Sequence, residues 1–393
     1  MKKKLTIIGR GTAGCYAASH FARHTDLEVE LYHDPNASVQ SVGESGPAGF
    51  GNTMFPKTLQ INFGMNYSDL DSVNGSIKLG VAKLNWDSGE KYVNWFPAGS
   101  TSYHFNARAL QDLILDRLKD RIRVIPERID VDNIDSDFIM DCSGKPGSMD
   151  DFHYLTERDD SIPVNAAYVV ECLWDSPKYN VTHAVARPYG WAFAVPLANR
   201  LSIGYLYNKN INTIEEVKED AKELFRQFNV TPSEQTQSLQ FNNYYRKQNF
   251  NGRVCYNGNQ SFFLEPMEAT AIWTMNYIQH LAHNVWLYDK PIQEANDEYV
   301  EKLNQIETCI MLHYFVGSKF DTEFWRFAKE RADRHIKHAL QIPKFQKALS
   351  SIMKVNLKQP SVDALERSYG IWNHVIWADH FSAWNVSRKL LKL

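Results

Sequence analysis

The chain has 393 residues, 44% of them hydrophobic, and its 43 Lys and Arg stand against 46 Asp and Glu for a net charge of -3. That length buries a core without covalent staples, and the near-balance of charge excludes the global basic field that nucleic acid or an anionic membrane calls for. The five cysteines, Cys15, Cys142, Cys172, Cys255 and Cys309, show no metal-ligand spacing and fit a reducing compartment, so the expectation is a cytoplasmic protein with no metal site.

Lys2, Lys3 and Lys4 precede an apolar run that Gly-Arg-Gly ends after Ile8, too short for a leader or a membrane span. Leu5 to Gly9 reads as a strand, Ala13 to His24 as a helix and Leu27 to Tyr32 as a second strand, a βαβ opening. The turn between the first two is Gly9-Arg-Gly11-Thr12-Ala13-Gly14. Glycines there allow a tight turn and close backbone approach to a pyrophosphate, and the helix start offers N–H groups to it. Asp34, about 20 residues beyond, is the candidate for holding a ribose.

Ile77 to Leu84 reads as one strand, with Lys78, Gly80 and Ala82 on one side and Lys83 turned to the other. Further strands are expected at Phe138 to Cys142, Ala166 to Cys172, Trp191 to Pro196 and Leu201 to Tyr207, which together predict mixed sheets. Pro266 suits the first position of a helix and would set Glu268 in its first turn. From there Met267, Ala271, Ile272, Met275, Ile278 and Leu281 recur at helical spacing, and the last third reads as helical. The fold class predicted is α/β: a Rossmann-like module over 1–285 and a mainly helical module over 286–393 packed directly on it.

Several segments in order resemble the flavin-dependent halogenase family, best known from tryptophan halogenases. Val42-Gly43-Glu44-Ser-Gly-Pro47 is similar to its V-G-E-[AS]-x-x-P segment, and Asn74 to Trp86 to the stretch with its reactive lysine. Tyr103-His-Phe-Asn-Ala107, Asp137 to Gly144, Gly190 to Leu197, Phe263 to Ala271, and Leu312-His-Tyr314 with Asp321 to Trp325 match later family segments.

The resemblance implies an FAD-binding, flavin monooxygenase-type fold. The enzyme would use FADH2 from a separate flavin reductase, dioxygen and a halide (chloride, bromide or iodide) to halogenate a small aromatic substrate. It implies Gly9, Gly11, Thr12, Ala13, Gly14, Asp34, Val42, Gly43, Glu44, Gly258 and Asn259 for cofactor binding, and Lys78 and Glu268, set near each other, for catalysis. Thr270 and Ala271 would hold the halide, while Trp191, Phe193 and Pro196 would wall flavin from substrate.

Phe193 replaces the family's second tryptophan, and Asn259 stands where an aspartate is usual. Only Leu79 to Ser102 separates Lys78 from Tyr103, far less than the family's substrate-covering insertion, so several electron-rich arenes are expected as substrates. An aromatic hydroxylase and an inactive flavin-binding protein remain the alternatives, and a homo-oligomer is left open.

Overall fold

The computed structural model describes residues 2–37, 45–46, 55–96, 100–174 and 177–393. Lys4–Ile8 and Glu28–Tyr32 pair in parallel, joined by the helix Thr12–His24. Parallel pairing continues to Phe138–Asp141 and Val254–Tyr256 on one side and to Ile122–Ile125 on the other. Antiparallel Phe250–Asn251 completes the described sheet. The opening helix buries its first ten residues, as a crossover lying against a parallel sheet must.

A second sheet runs in the order Thr231–Gln240, Ala166–Leu173, Arg200–Tyr207, Gly190–Pro196, Thr182–Arg187, Gly80–Leu84, Tyr92–Trp95. It is antiparallel except where Thr182–Arg187 meets Gly80–Leu84. Along Gly190–Pro196 the residues alternate faces. Ala192 and Ala194 pack in a cluster with Val217, Ala221, Leu224 and Phe228 of the helix Ile214–Phe228. Trp191, Phe193 and Val195 turn to a cavity on the opposite face. A capping box between Thr213 and Glu216 starts that helix, satisfying N–H groups that the first turn leaves open.

The stretch expected as a single strand from Ile77 to Leu84 is two. Ser76–Lys78 pairs with Ser102–His104 in a small separate sheet, and Gly80–Leu84 belongs to the large one. Leu79 is the joint: its N–H donates to the Asn180 carbonyl and its own carbonyl accepts from Phe96 N–H. Gly80 is required not by room around Lys78 but by strand packing, since a Cβ there would stand 2.5 Å from the Asn94 carbonyl oxygen.

Beyond Pro266 the chain is helical apart from the short hairpin Ser368–Tyr369 and Trp372–Asn373, with Thr270–Leu287, Ile292–Val316 and Glu323–Ala339 the long members. The expected boundary at 285/286 falls inside the helix Thr270–Leu287, and one apolar cluster runs from Leu5 to Val386. Among the described residues no helix is long and apolar enough to cross a membrane.

Candidate functional site

Two cavities, of about 690 Å³ and 580 Å³, share Phe241, Asn259, Phe263 and Met275 in their walls and so adjoin. The first is lined by Gly9, Gly11, Thr12, Ala13, His33, Asp34, Gly258 and Asn259, which brings together the sequence-selected residues of the phosphate turn except Gly14, which does not line the cavity. Gly9 has φ +100°, and a Cβ on it would meet the Cys142 carbonyl oxygen at 2.4 Å; one on Gly14 would meet the Gly9 carbonyl oxygen at 1.9 Å. Gly258 (φ +57°) sits against the Ala13 methyl. A Cβ on Gly11 meets nothing within 4 Å, so this glycine faces the open cavity. That is the cradle a pyrophosphate needs. The segment Glu127 to Val131, past the end of Ile122–Ile125, also lines this cavity and had no signature in the sequence. Val42, Gly43 and Glu44 lie outside the described residues.

The second cavity spreads over the large sheet and is lined by Lys78, Trp191, Phe193, Val195, Asn259, Glu268, Ala269 and Ala271, among others. Pro196 is not in this wall. Val195 takes the place, and the Pro196 carbonyl accepts from the Ser76 hydroxyl at 2.5 Å. Glu265, wholly buried, holds Trp191 in orientation by accepting from its Nε1 at 3.0 Å, and also accepts from the Tyr314 hydroxyl at 2.7 Å. Burial raises the Glu265 carboxyl to about 7 against the pull of those two bonds.

Lys78 is 2% exposed. Its Nζ donates to Ser45 Oγ at 3.0 Å and to the Gly46 carbonyl at 2.9 Å, and lies 5.7 Å from the centre of the Phe96 ring. Burial lowers this amine to about 7. Behind it runs a chain of buried contacts: Ser45 Oγ to Thr182 Oγ1 (3.1 Å), Thr182 Oγ1 to His104 Nε2 (2.8 Å), and His104 Nδ1 to Ser76 Oγ (3.1 Å). The last donor-acceptor choice sets the others. Ser76 gives its only proton to the Pro196 carbonyl, so His104 Nδ1–H must donate to Ser76. His104 Nε2 then accepts from Thr182, Thr182 accepts from Ser45, and Ser45 accepts from Lys78. The aligned chain favours a protonated donor at Lys78, while burial opposes it.

Glu268 departs from two expectations. It is not in a helical first turn: Glu268 (φ 63°) and Ala269 (φ 55°) are both left-handed, and the regular helix begins at Thr270. Its carboxylate is ion-paired with Lys83, not Lys78, and accepts from Trp372 Nε1 at 3.3 Å. Lys83, expected only to face away from Lys78, is fully buried and also donates to His313 Nε2 at 2.9 Å. His313 Nδ1–H donates to the Cys309 carbonyl at 3.0 Å, leaving Nε2 as the acceptor. Burial first, then Lys78, presses the Lys83 amine well down; contact with the Glu268 carboxylate opposes that. Two consecutive left-handed non-glycine residues are strained and aim the carboxylate at the cavity wall. At the helix start, Ala271 reaches the cavity. Thr270 is buried beside it, its Oγ1 without a hydrogen-bond partner among the described residues.

Comparison with known proteins places the chain in a family. The model described as tryptophan halogenase matches residues 115–378. Tryptophan 6-halogenase SttH of Streptomyces toxytricini is 23% identical over 263 residues, covering 59% of this chain and 49% of that protein; the chain spans about half the length of the curated relatives it matches. Among solved structures, a tryptophan halogenase from Shewanella frigidimarina superposes with a TM-score of 0.75 at 18% identity, covering 100% of this chain and 93% of that one. MibH, a lathipeptide tryptophan 5-halogenase, gives 0.78 at 16% identity, covering 98% and 86%. These two share the fold.

Proposed function

This chain belongs to the tryptophan halogenase family, and from that premise we propose that it is an FADH2-dependent halogenase whose electrophile is delivered by Lys78. The observation that carries the proposal is a buried, hydrogen-bonded lysine in the wall of the same cavity as Trp191, Phe193, Glu268 and Ala271. FAD would lie across the two adjoining cavities. Gly9, Gly11, Thr12 and Ala13 would hold the pyrophosphate, with Gly14 letting the helix pack on the Gly9 carbonyl, Asp34 would hold the ribose, and Gly258 and Asn259 the middle of the molecule.

When bound, reduced flavin would supply two of the four electrons that reduce dioxygen, the halide supplying the other two, so that one oxygen ends in hypohalous acid and the other in water. The N–H groups of Thr270 and Ala271 at a helix start hold the halide. Trp191, fixed by Glu265, and Phe193 keep the arene apart from the flavin. The Lys78 ammonium donates to the oxygen of hypohalous acid. As the carbon–halogen bond forms and the oxygen–halogen bond breaks, the departing hydroxide takes the Lys78 proton and leaves as water; the ring proton then restores the ammonium through solvent. A neutral Lys78 would instead form a haloamine with loss of water and pass its halogen to the ring. Glu268, clamped by Lys83 and Trp372, stabilises the positive charge that builds on the arene.

The short connection between Lys78 and Tyr103 supports a substrate class of electron-rich arenes rather than one amino acid, with FADH2 supplied by a separate reductase. The test is mass spectrometry of an arene panel with reduced FAD, dioxygen and chloride, bromide or iodide. Wild type gives halogenated products. Lys78→Ala retains FAD binding and flavin oxidation but loses them. Oxygen in place of halogen in the product refutes the proposal.

A further inference from the structure

The residues of the large sheet that face the second cavity fall into cross-strand rows. Trp191, Leu206, Ala167 and Leu239 make one row, and Phe193, Val169 and Gln237 belong to the next. A third row runs through Val81, Thr182, Val195, Ser202 and Glu171. Val81 pairs with Thr182, the His183–Ala194 pair sets Thr182 beside Val195, and Ser202 pairs with both Val195 and Glu171. All five line the cavity. Phe241, which both cavities share, lies just past the Leu239 end of the first row, so the third row is the one farthest from the phosphate turn, beyond Trp191 and Phe193.

One end of this row leads to the reactive lysine, since Thr182 Oγ1 is 3.1 Å from Ser45 Oγ, which accepts from Lys78 Nζ. The other end is Glu171. Three strand spacings separate Thr182 from Glu171, about 14 Å. Among the described residues of the cavity wall the carboxylates are Glu171 and Glu268, and the chemistry proposed above uses only Glu268. Glu171 also stands at a break in the sheet. Val170 pairs with Thr236 and Cys172 with Pro232, so Ser233, Glu234 and Gln235 of the edge strand are opposite Glu171 alone. A bulge of this kind interrupts the ladder and re-aims side chains.

We propose that Glu171 anchors the substrate by a protonated amine, so that the preferred arenes carry a short aminoalkyl arm; the inference rests on the halogenase reading for the chemistry at the other end of the row. An ammonium on the Glu171 carboxylate, with an electron-rich ring directed toward Thr182 and Lys78, fills the row from end to end over the apolar Val195 and Val81. Arg200 does not cancel this preference. Its Nε lies 3.3 Å from Glu171 Oε1, but its side chain is 10% exposed against 38% for Glu171 and is not in the cavity wall. The guanidinium therefore holds the carboxylate from behind, and Glu234 across the bulge leaves the local charge negative. A charge-assisted hydrogen bond at a fixed point also selects which ring carbon reaches Lys78, the one remote from the arm.

The experiment compares tryptamine with N-acetyltryptamine, which share a ring and differ in charge at the arm. Both are offered as substrates with reduced FAD, dioxygen and bromide, and as ligands in calorimetry without turnover. Wild type should bind tryptamine on the order of ten-fold more tightly, use it with a correspondingly lower KM, and brominate it chiefly at one position remote from the arm. Glu171→Gln should erase that difference and scatter the position of the halogen. Equal affinities of the wild type for the two ligands overturn the proposal, and so does a preference that survives in Glu171→Gln. Calorimetry needs no halogenation, so the amine preference stands or falls by it even if neither arene is brominated, an outcome that would refute the halogenase reading instead.

Discussion

Replacing Lys83 with methionine keeps the length of the side chain and removes the cation from a pair whose members are 0% and 6% exposed. At an ordinary contact of about 2.8 Å and an effective dielectric near 20, the lost attraction is about 6 kcal/mol. The Trp372 bond to Glu268 survives, and relief of the lysine's own burial offsets part of the loss, so a net destabilisation of about 3–5 kcal/mol is expected for the broken pair. The variant Lys83→Met/Glu268→Gln leaves no unpaired charge and should recover most of it. Equilibrium urea unfolding of wild type, both single variants and the double variant gives the coupling directly. A value above about 2 kcal/mol is expected for groups in contact; one below about 0.5 kcal/mol would mean the two residues act independently, and the account of Glu268 as a clamped carboxylate would be wrong.

Gly11→Trp should abolish FAD binding in a fluorescence titration that the wild type passes, because the side chain would fill the one open position of the phosphate turn. The Lys78 amine, lowered to about 7 by burial, holds fewer protons folded than unfolded between about 7 and the ordinary lysine value near 10.4. Wild-type stability should therefore gain on that of Lys78→Met as pH rises through this window, in unfolding measured at successive pH values; a parallel pair of curves would contradict the assignment. Thr182→Val preserves shape but cuts the hydrogen-bond chain behind Lys78. A loss on the order of 1 kcal/mol, roughly five-fold in product formation, is expected with FAD affinity unchanged.

The opening βαβ unit and its glycines were legible because each needs a local backbone conformation that the residue itself supplies. The same holds for the alternation of Trp191, Phe193 and Val195. What was not legible depended on partners distant in sequence. Period-two alternation from Ile77 to Leu84 carries no information on which sheet each half joins, so the break at Leu79 stayed hidden. Pro266 signals a helix start, but the two left-handed residues after it follow from contacts of Glu268 with Lys83 and Trp372, 185 and 104 residues away. The strand Thr231–Gln240 is polar apart from Leu239 and a proline at its second position, and only pairing with Ala166–Leu173 makes it a strand.

That polar strand is the outermost of its sheet, and it also supplies Gln235, Thr236, Gln237 and Leu239 to the wall of the second cavity. An edge strand has hydrogen-bonded neighbours on one side only and little apolar burial to hold it, so it opens locally at far lower free energy than the central strands. The usable width of the cavity is therefore an equilibrium quantity. Amide exchange should be fast along Thr231–Gln240 and slow along Gly190–Pro196. The size of molecule the second cavity admits should then follow the population of the open edge, a property that temperature and single substitutions on that strand would tune without touching Lys78.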